Sequence, residues 1–164
     1  MKPFPTNKYR RRARLRLRIT NTGALLFMKY IVLLLTLFFS TSCASTLINT
    51  FVKYERNKSN LTKKSITVDN HDFVYLEGGE GETVLLFHGF AADKEHWTRF
   101  SRYLTDKYRV IAPDSPPAGE SSKLELEDYG YMSQVKRLHA FAEKLGLKKY
   151  HIAGNSMGGH IAGL

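Results

Sequence analysis

Residues 150–164 read YHIAGNSMGGHIAGL. A short β-prone run meets Gly154-Asn155-Ser156-Met157-Gly158-Gly159 and passes at once into a helix-prone run. A G-x-S-x-G segment in that position requires a strand-to-helix turn so sharp that the backbone of its central residue is strained. Its neighbours must be small. Strands that feed directly into helices belong to sheets covered by helices, which sets aside all-α and all-β architectures.

The preceding sequence agrees. Ser65–Val68 and Phe73–Glu77 are short β-rich runs separated by the turn-rich Asp69-Asn70-His71-Asp72, and they read as an antiparallel hairpin. Thr83–His88, TVLLFH, is a continuous apolar run suited to a strand buried on both faces. Trp97 to Asp106 reads as a helix, with Trp97, Phe100 and Leu104 at spacings of three and four. Arg109–Ala112 is a further strand, closed by Pro113. Asp128 to Leu145 reads as a helix with the apolar stripe Val135, Leu138, Ala142, Leu145, and Gly146 supplies the stop. Tyr150–Asn155 is the next strand and Met157 to Leu164 starts a helix. The order β-β-β-α-β-α-β-α predicts an α/β layer sandwich with a mostly parallel sheet.

The charge is unevenly distributed. The chain carries 25 Lys and Arg against 15 Asp and Glu, a net +10 that would suit nucleic acid or an anionic membrane. Nine of the basic residues fall within residues 1–29, where there is no acid, so the remainder is close to neutral. A nucleic-acid partner is therefore not expected for the body. Met28-Lys29 precedes Tyr30–Phe39, YIVLLLTLFF, and then Ser40-Thr41-Ser42-Cys43. A positive start, a ten-residue apolar core and small residues make a signal-peptide layout. The run is short of the roughly 20 apolar residues of a membrane span. Cys43 at that place resembles the lipidated cysteine of bacterial lipoproteins, although Ser40 replaces the usual leucine. Ala44 behind it resembles outer-membrane sorting. An ordinary secretory signal is the alternative. The expected organisation is a basic extension over 1–27 that precedes the favoured start at Met28, a signal peptide over 28–42, the anchor cysteine and a linker over 43–64, and a folded domain over 65–164. The product is expected to be exported in a bacterium, as an outer-membrane lipoprotein or a periplasmic or secreted protein.

The chemistry concentrates at two places. A serine on the sharp turn projects its hydroxyl, and the following helix N-terminus brings backbone N–H groups and a positive dipole end to a developing oxyanion. His88-Gly89-Phe90 ends the strand TVLLFH. Gly89 would let a substrate approach the backbone, with Phe90 N–H as one donor and Met157 N–H as the other.

With these motifs in place, residues 65–164 resemble the α/β-hydrolase superfamily. The likeness rests on TVLLFHGF, Trp97, YRVIAPD, GESS and RLHAFAEKLGLKKYHIAGNSMGGHIAGL. It is strongest toward bacterial lipoprotein-type or secreted lipases and esterases, and YERNKSNLTKKSITV with GNSMGG is similar to cold-adapted triacylglycerol lipases. The resemblance implies Ser156 as nucleophile, Phe90 and Met157 as the oxyanion hole, Gly89, Gly154 and Gly158 as the loop and elbow glycines, and His88 as a residue holding the oxyanion turn. Phe90 and Trp97 could form an acyl-binding wall; core packing is the alternative, favoured for Trp97. The implied substrate is a small-molecule ester or lipid. No ligand cluster suggests a metal, and no cofactor is implied. One departure stands out: Pro117 occupies the first glycine position of the family's D-x-x-G-x-G-x-S loop, here Asp114 to Ser121, where proline stiffens the backbone.

In this superfamily an Asp or Glu and then a His follow the serine in chain order, and Leu164 lies eight residues after Ser156. The chain therefore reads as the N-terminal part of the fold, expected to be inactive alone and to expose a sheet edge beside the elbow strand. Among His71, His96, His139, His151 and His160, none matches the family position of the base. Alternatives are a non-catalytic lipoprotein on this scaffold, or another serine chemistry of the fold: C–C bond hydrolysis, a peroxidase or a peptidase.

Overall fold

The computed structural model describes the backbone of residues 7–164 and the side chains of residues 23–36 and 44–164. The chain divides into two units, residues 1–49 and 50–164. A long helix, α1, runs over Asn7–Lys58. In the first unit its side chains from Leu25 to Leu35 include an unbroken exposed series from Leu25 to Met28 and from Tyr30 to Leu35. No helix among the described residues is long and apolar enough to cross a membrane. The side chain of Cys43, the expected anchor, lies outside the described residues. Residues 44–58, read from the sequence as linker, are helical. Within the second unit Glu55 and Arg56 explain this. Arg102 donates to Glu55 at 2.6 Å, and Arg56 Nε donates to Glu95 Oε1 at 2.9 Å. Partners so distant in sequence leave no local signal.

The second unit is a five-stranded sheet ordered β1-β2-β4-β3-β5. β1 (Thr62–Val68) and β2 (His71–Gly78) form the expected hairpin, turning at Asp69-Asn70, where Asp69 has φ 53°. β2 also pairs antiparallel with β4 (Tyr108–Pro113). β4 and β5 (His151–Gly154) both pair parallel with β3 (Glu82–Phe87). The α/β expectation holds, with two antiparallel strands at one edge and three parallel strands toward the elbow.

Alternation along the strands sorts side chains to two faces. Phe73, Tyr75, Leu85, Phe87 and Ile111 pack with Leu138, Phe141 and Ala142 of α3 (Tyr131–Lys144) and with Ile161 of α4 (Met157–Gly163). Phe73 stacks on Phe141 at 4.8 Å between centroids. The opposite face, with Leu76, Leu86, Val110 and Ala112, is covered by Trp97 and Leu104. Trp97 thus packs against core, as its alternative reading held. The helix expected over 97–106 is shorter. A 3-10 turn at Lys94–Trp97 leads into α2 (Thr98–Ser101), and residues to Lys107 close in tight turns, Leu104 N–H reaching Ser101 O at 2.8 Å. α3 begins at Tyr131 rather than Asp128, because the Asp128 carboxylate accepts the Gly130 N–H at 2.8 Å and the Ser133 hydroxyl ahead of the first turn.

Candidate active site

The parallel strands β3 and β5 end side by side, with Phe87 opposite Gly154. The two sequence motifs are therefore neighbours. Ser156 caps α4 with φ 51° and ψ −116°, a conformation that costs a non-glycine residue about 1–3 kcal/mol and persists only where surroundings enforce it. The turn is closed by Asn155 N–H to Phe87 O at 3.1 Å and Gly158 N–H to Asn155 O at 2.9 Å.

The glycines explain why the enforcement works. A Cβ on Gly158 would stand 2.1 Å from Phe87 O, and one on Gly154 would stand 2.2 Å from the Gly158 carbonyl. Both contacts are with backbone, which cannot yield. α4 therefore lies against the end of β3 at a separation only glycine permits. Gly89 comes from the other motif: its Cβ position is 3.3 Å from the Ser156 Cβ.

The turn after β3 is fixed by His88, which is buried. Its Nε2 accepts the Ser115 N–H at 3.0 Å, which places the ring proton on Nδ1, 2.8 Å from the Gly89 carbonyl oxygen. A trans peptide points its N–H opposite to its C=O. Holding the Gly89 carbonyl therefore sets the direction of the Phe90 N–H. Among the described residues no backbone carbonyl takes the N–H of Phe90 or Met157. Phe90 itself is 83% exposed.

Phe90 and Met157 line one cavity of about 300 Å³, with His88, Gly89, Ala91, Ser115, Pro117, Ala118, Tyr129 and Gln134. Its volume is at the small end of the range for small-molecule sites. Trp97 is not part of its wall. Ser115, Pro117 and Ala118 come from the loop between Asp114 and Ser121, the place of the Pro117 departure. That loop is tied down by a buried carboxylate, against which the second glycine of the motif, Gly119, is packed. Asp114, fully buried, accepts Lys94 N–H at 2.6 Å, Lys94 Nζ at 2.8 Å and Glu120 N–H at 2.8 Å. Gly119, with φ 54°, passes so close that a Cβ would sit 2.1 Å from this carboxylate. Lys94 Nζ also reaches Glu120 at 2.8 Å. Burial pushes the Lys94 ammonium down, but its bonds to Asp114 and Glu120 outweigh this and leave it raised. Glu120 is lowered to about 2, first by its bond from Lys63 and then by Lys94. Nothing in the polar run Asp93-Lys94-Glu95-His96 marks Lys94 as buried.

Three of the histidine side chains make contacts of their own away from Ser156. His151 pairs with Glu82 at 3.0 Å, His139 with Glu143 at 3.5 Å, and His160 lies edge-on to Tyr131 at 4.6 Å. Among the described residues no group of His, Cys, Asp and Glu is arranged to hold a metal ion.

Comparison with known proteins points one way. The family model for the alpha/beta hydrolase fold matches residues 82–164. Lipase 1 of Psychrobacter immobilis is 45% identical over 115 residues, covering 68% of this chain and 36% of that protein. Monoacylglycerol lipase abhd6-A of Xenopus laevis is 33% identical over 125 residues, covering 73% and 37%. Among solved structures, a bacterial membrane phospholipase A superposes with a TM-score of 0.71 at 42% identity, over 82% of this chain and 46% of that one. The chain thus spans less than half the length of these relatives.

Proposed function

The chain belongs to the alpha/beta hydrolase fold family, and from that premise we propose that the full-length protein is a serine hydrolase of carboxylic esters, acting on fatty-acyl lipids. The observation that carries this is the strained Ser156 beside Gly89, with two uncommitted backbone N–H groups, Phe90 and Met157, on one cavity. The Ser156 Oγ attacks the acyl carbonyl carbon and passes its proton to a general base. The carbonyl oxygen becomes an oxyanion held by the two N–H groups. As the tetrahedral species collapses, the C–O bond to the alcohol breaks and the base returns its proton to the leaving oxygen. Water then repeats the sequence on the acyl-serine. No described histidine is hydrogen-bonded to Ser156, so the base and its orienting acid are assigned to parts of the full-length protein outside these residues. Residues 1–164 alone are accordingly expected to be inactive. The names of the lipase and phospholipase relatives support the substrate class.

The same reading places the protein at a membrane after export, through the signal-like segment 28–42 and a lipid on Cys43. The exposed apolar series from Leu25 to Leu35 suits such a segment. Two experiments test the proposal. A fluorophosphonate probe should label the full-length protein and fail to label Ser156→Ala. Labelled fatty acid should enter the wild type in a bacterial host and not Cys43→Ala. Probe labelling that survives Ser156→Ala would remove the nucleophile assignment.

A further inference from the structure

Within the second unit the last turns of α1 and the segment from Thr98 to Lys107 run side by side. Arg99 stands over the Phe51 ring, 5.7 Å from its centroid. Arg102 donates to Glu55 at 2.6 Å, and the Thr105 hydroxyl donates to Ser59 O at 3.2 Å. The three contacts advance together along both segments. On α1 the residues turned toward the domain are Val52, Glu55, Arg56 and Ser59. Helix geometry then sets Phe51, Tyr54 and Lys58, three and four apart, along an outer flank. On the neighbouring segment Thr98, Ser101 and Thr105 are buried, which leaves Arg99, Phe100, Tyr103 and Lys107 exposed.

Two properties set this surface apart. Phe51, Tyr54, Phe100 and Tyr103 are 47–77% exposed, and large rings gathered on one surface mark an interaction site. The positive charge of the body is also concentrated there. Residues 51–58 and 98–107 carry six Lys and Arg against two acids, Glu55 and Asp106, while the rest of residues 30–164 carries ten against thirteen. Glu55 is itself bridged by Arg102 and by Arg99 at 3.4 Å. What projects is a group of aromatic rings fringed by cations. None of these residues lines the cavity of Phe90 and Met157.

We propose that this face is a docking surface for an anionic phospholipid bilayer. Aromatic side chains settle at the level of lipid headgroups, and basic side chains beside them meet the anionic phosphates. A second copy of the chain is the poorer occupant, because a two-fold contact would set a positive face against itself. The proposal deepens the membrane placement given above and rests on it for its setting. It adds which side of the domain lies on the lipid, and it requires neither the hydrolase chemistry nor a lipid on Cys43.

The test must read the face locally, because the N-terminal segment alone would hold the protein on a vesicle. The full-length protein is mixed with vesicles of phosphatidylcholine, alone or with phosphatidylglycerol, and its side chains are oxidised by brief exposure to hydroxyl radicals. Phe51, Tyr54 and Tyr103 are expected to be shielded on the phosphatidylglycerol vesicles and to stay reactive on phosphatidylcholine alone. His139, exposed on α3 at the opposite face of the sheet, is the internal reference and should react equally on both. Lys58→Glu with Lys107→Glu should raise about tenfold the phosphatidylglycerol needed for half shielding, the scale of losing a few basic contacts with an anionic surface, and Lys58→Arg with Lys107→Arg should not. Shielding that is absent, equal on both vesicles, or unchanged in the glutamate pair overturns the proposal. So does shielding without vesicles that grows with protein concentration, the sign of a second copy. Fluorophosphonate labelling of Ser156 should be equal in all three proteins, which reports that each is folded. Labelling absent from the wild type would remove the hydrolase reading and leave the docking face standing, and so would a Cys43 that carries no fatty acid remove only the anchor.

Discussion

His88 and Ser115 are joined across the top of the sheet: the Ser115 N–H donates to His88 Nε2 at 3.0 Å. This bond decides which nitrogen carries the ring proton, and so which nitrogen can hold the Gly89 carbonyl. The loop after β4 thereby controls the peptide after β3. In the full-length protein, on the proposed hydrolase activity, His88→Ala should free that peptide and lower kcat by about 10²-fold, the scale of losing one oxyanion donor. KM should change much less, since ground-state contacts remain. A matched rise in KM with kcat intact would show that His88 shapes binding instead.

The elbow glycines should be intolerant for a reason independent of chemistry. Gly158→Ala drives a Cβ to 2.1 Å from Phe87 O. It should destabilise the fold by about 3 kcal/mol or more, at the upper end of overpacking effects. Gly146, with φ +72° and nothing within 4 Å of its Cβ position, is the comparison. Alanine there should cost only about 1–2 kcal/mol of backbone strain. Urea unfolding of the two variants measures the difference.

Lys94 is the buried counter-charge of Asp114, at 2.8 Å, with side-chain exposures of 2% and 0%. Lys94→Met strands that carboxylate and should cost about 3–5 kcal/mol. Lys94→Met combined with Asp114→Leu should recover part of the loss. Chemical denaturation of both variants checks this, and an additive double variant would show that the pair is not coupled.

The loop that carries Glu120 should loosen in acid. Its folded value of about 2 lies below its ordinary 4.5. As pH falls, the unfolded chain takes up this proton first. The stabilisation is therefore complete above about pH 4.5 and disappears as pH drops toward 2. Hydrogen exchange at Ser121 and Ser122 between pH 5 and 2.5 should show the opening, and Lys63→Ala should shrink the change. An identical acid response in Lys63→Ala would refute the assignment.

Much of the fold was legible because its strands alternate or run apolar and its turns carry Asp-Asn or glycine. The hairpin, the three parallel strands and α3 with its Leu138–Ala142 stripe all follow from spacing. The neighbourhood of Gly89 and Ser156 followed from two motifs, each at the end of a strand. Hidden from the sequence was everything that depends on partners far along the chain. Residues 44–58 are helical where their composition suggested linker, and within them Glu55 and Arg56 meet Arg102 and Glu95. Lys94 stands in a run of polar residues and is 1% exposed. Gln134 was one polar position on a helix until folding set it on the cavity wall. Periodicity reports which face a residue is on; it does not report which polar group waits there.

The strand order has a consequence in time. β1 and β2 are joined by a tight turn and can pair within about 1–10 μs, as hairpins do. β5 must find β3 across a long stretch of chain, Val84 meeting His151, and it pairs with no other strand among the described residues. Closing so long a loop is slow to be rewarded. During synthesis the His88 turn therefore exists well before Ser156 arrives opposite it. Until then the edge of β3 that includes Leu85 and Leu86 is open to any passing strand. The geometry that assembles last is the one the proposed chemistry needs, so on that proposal misfolding and loss of activity share a single step.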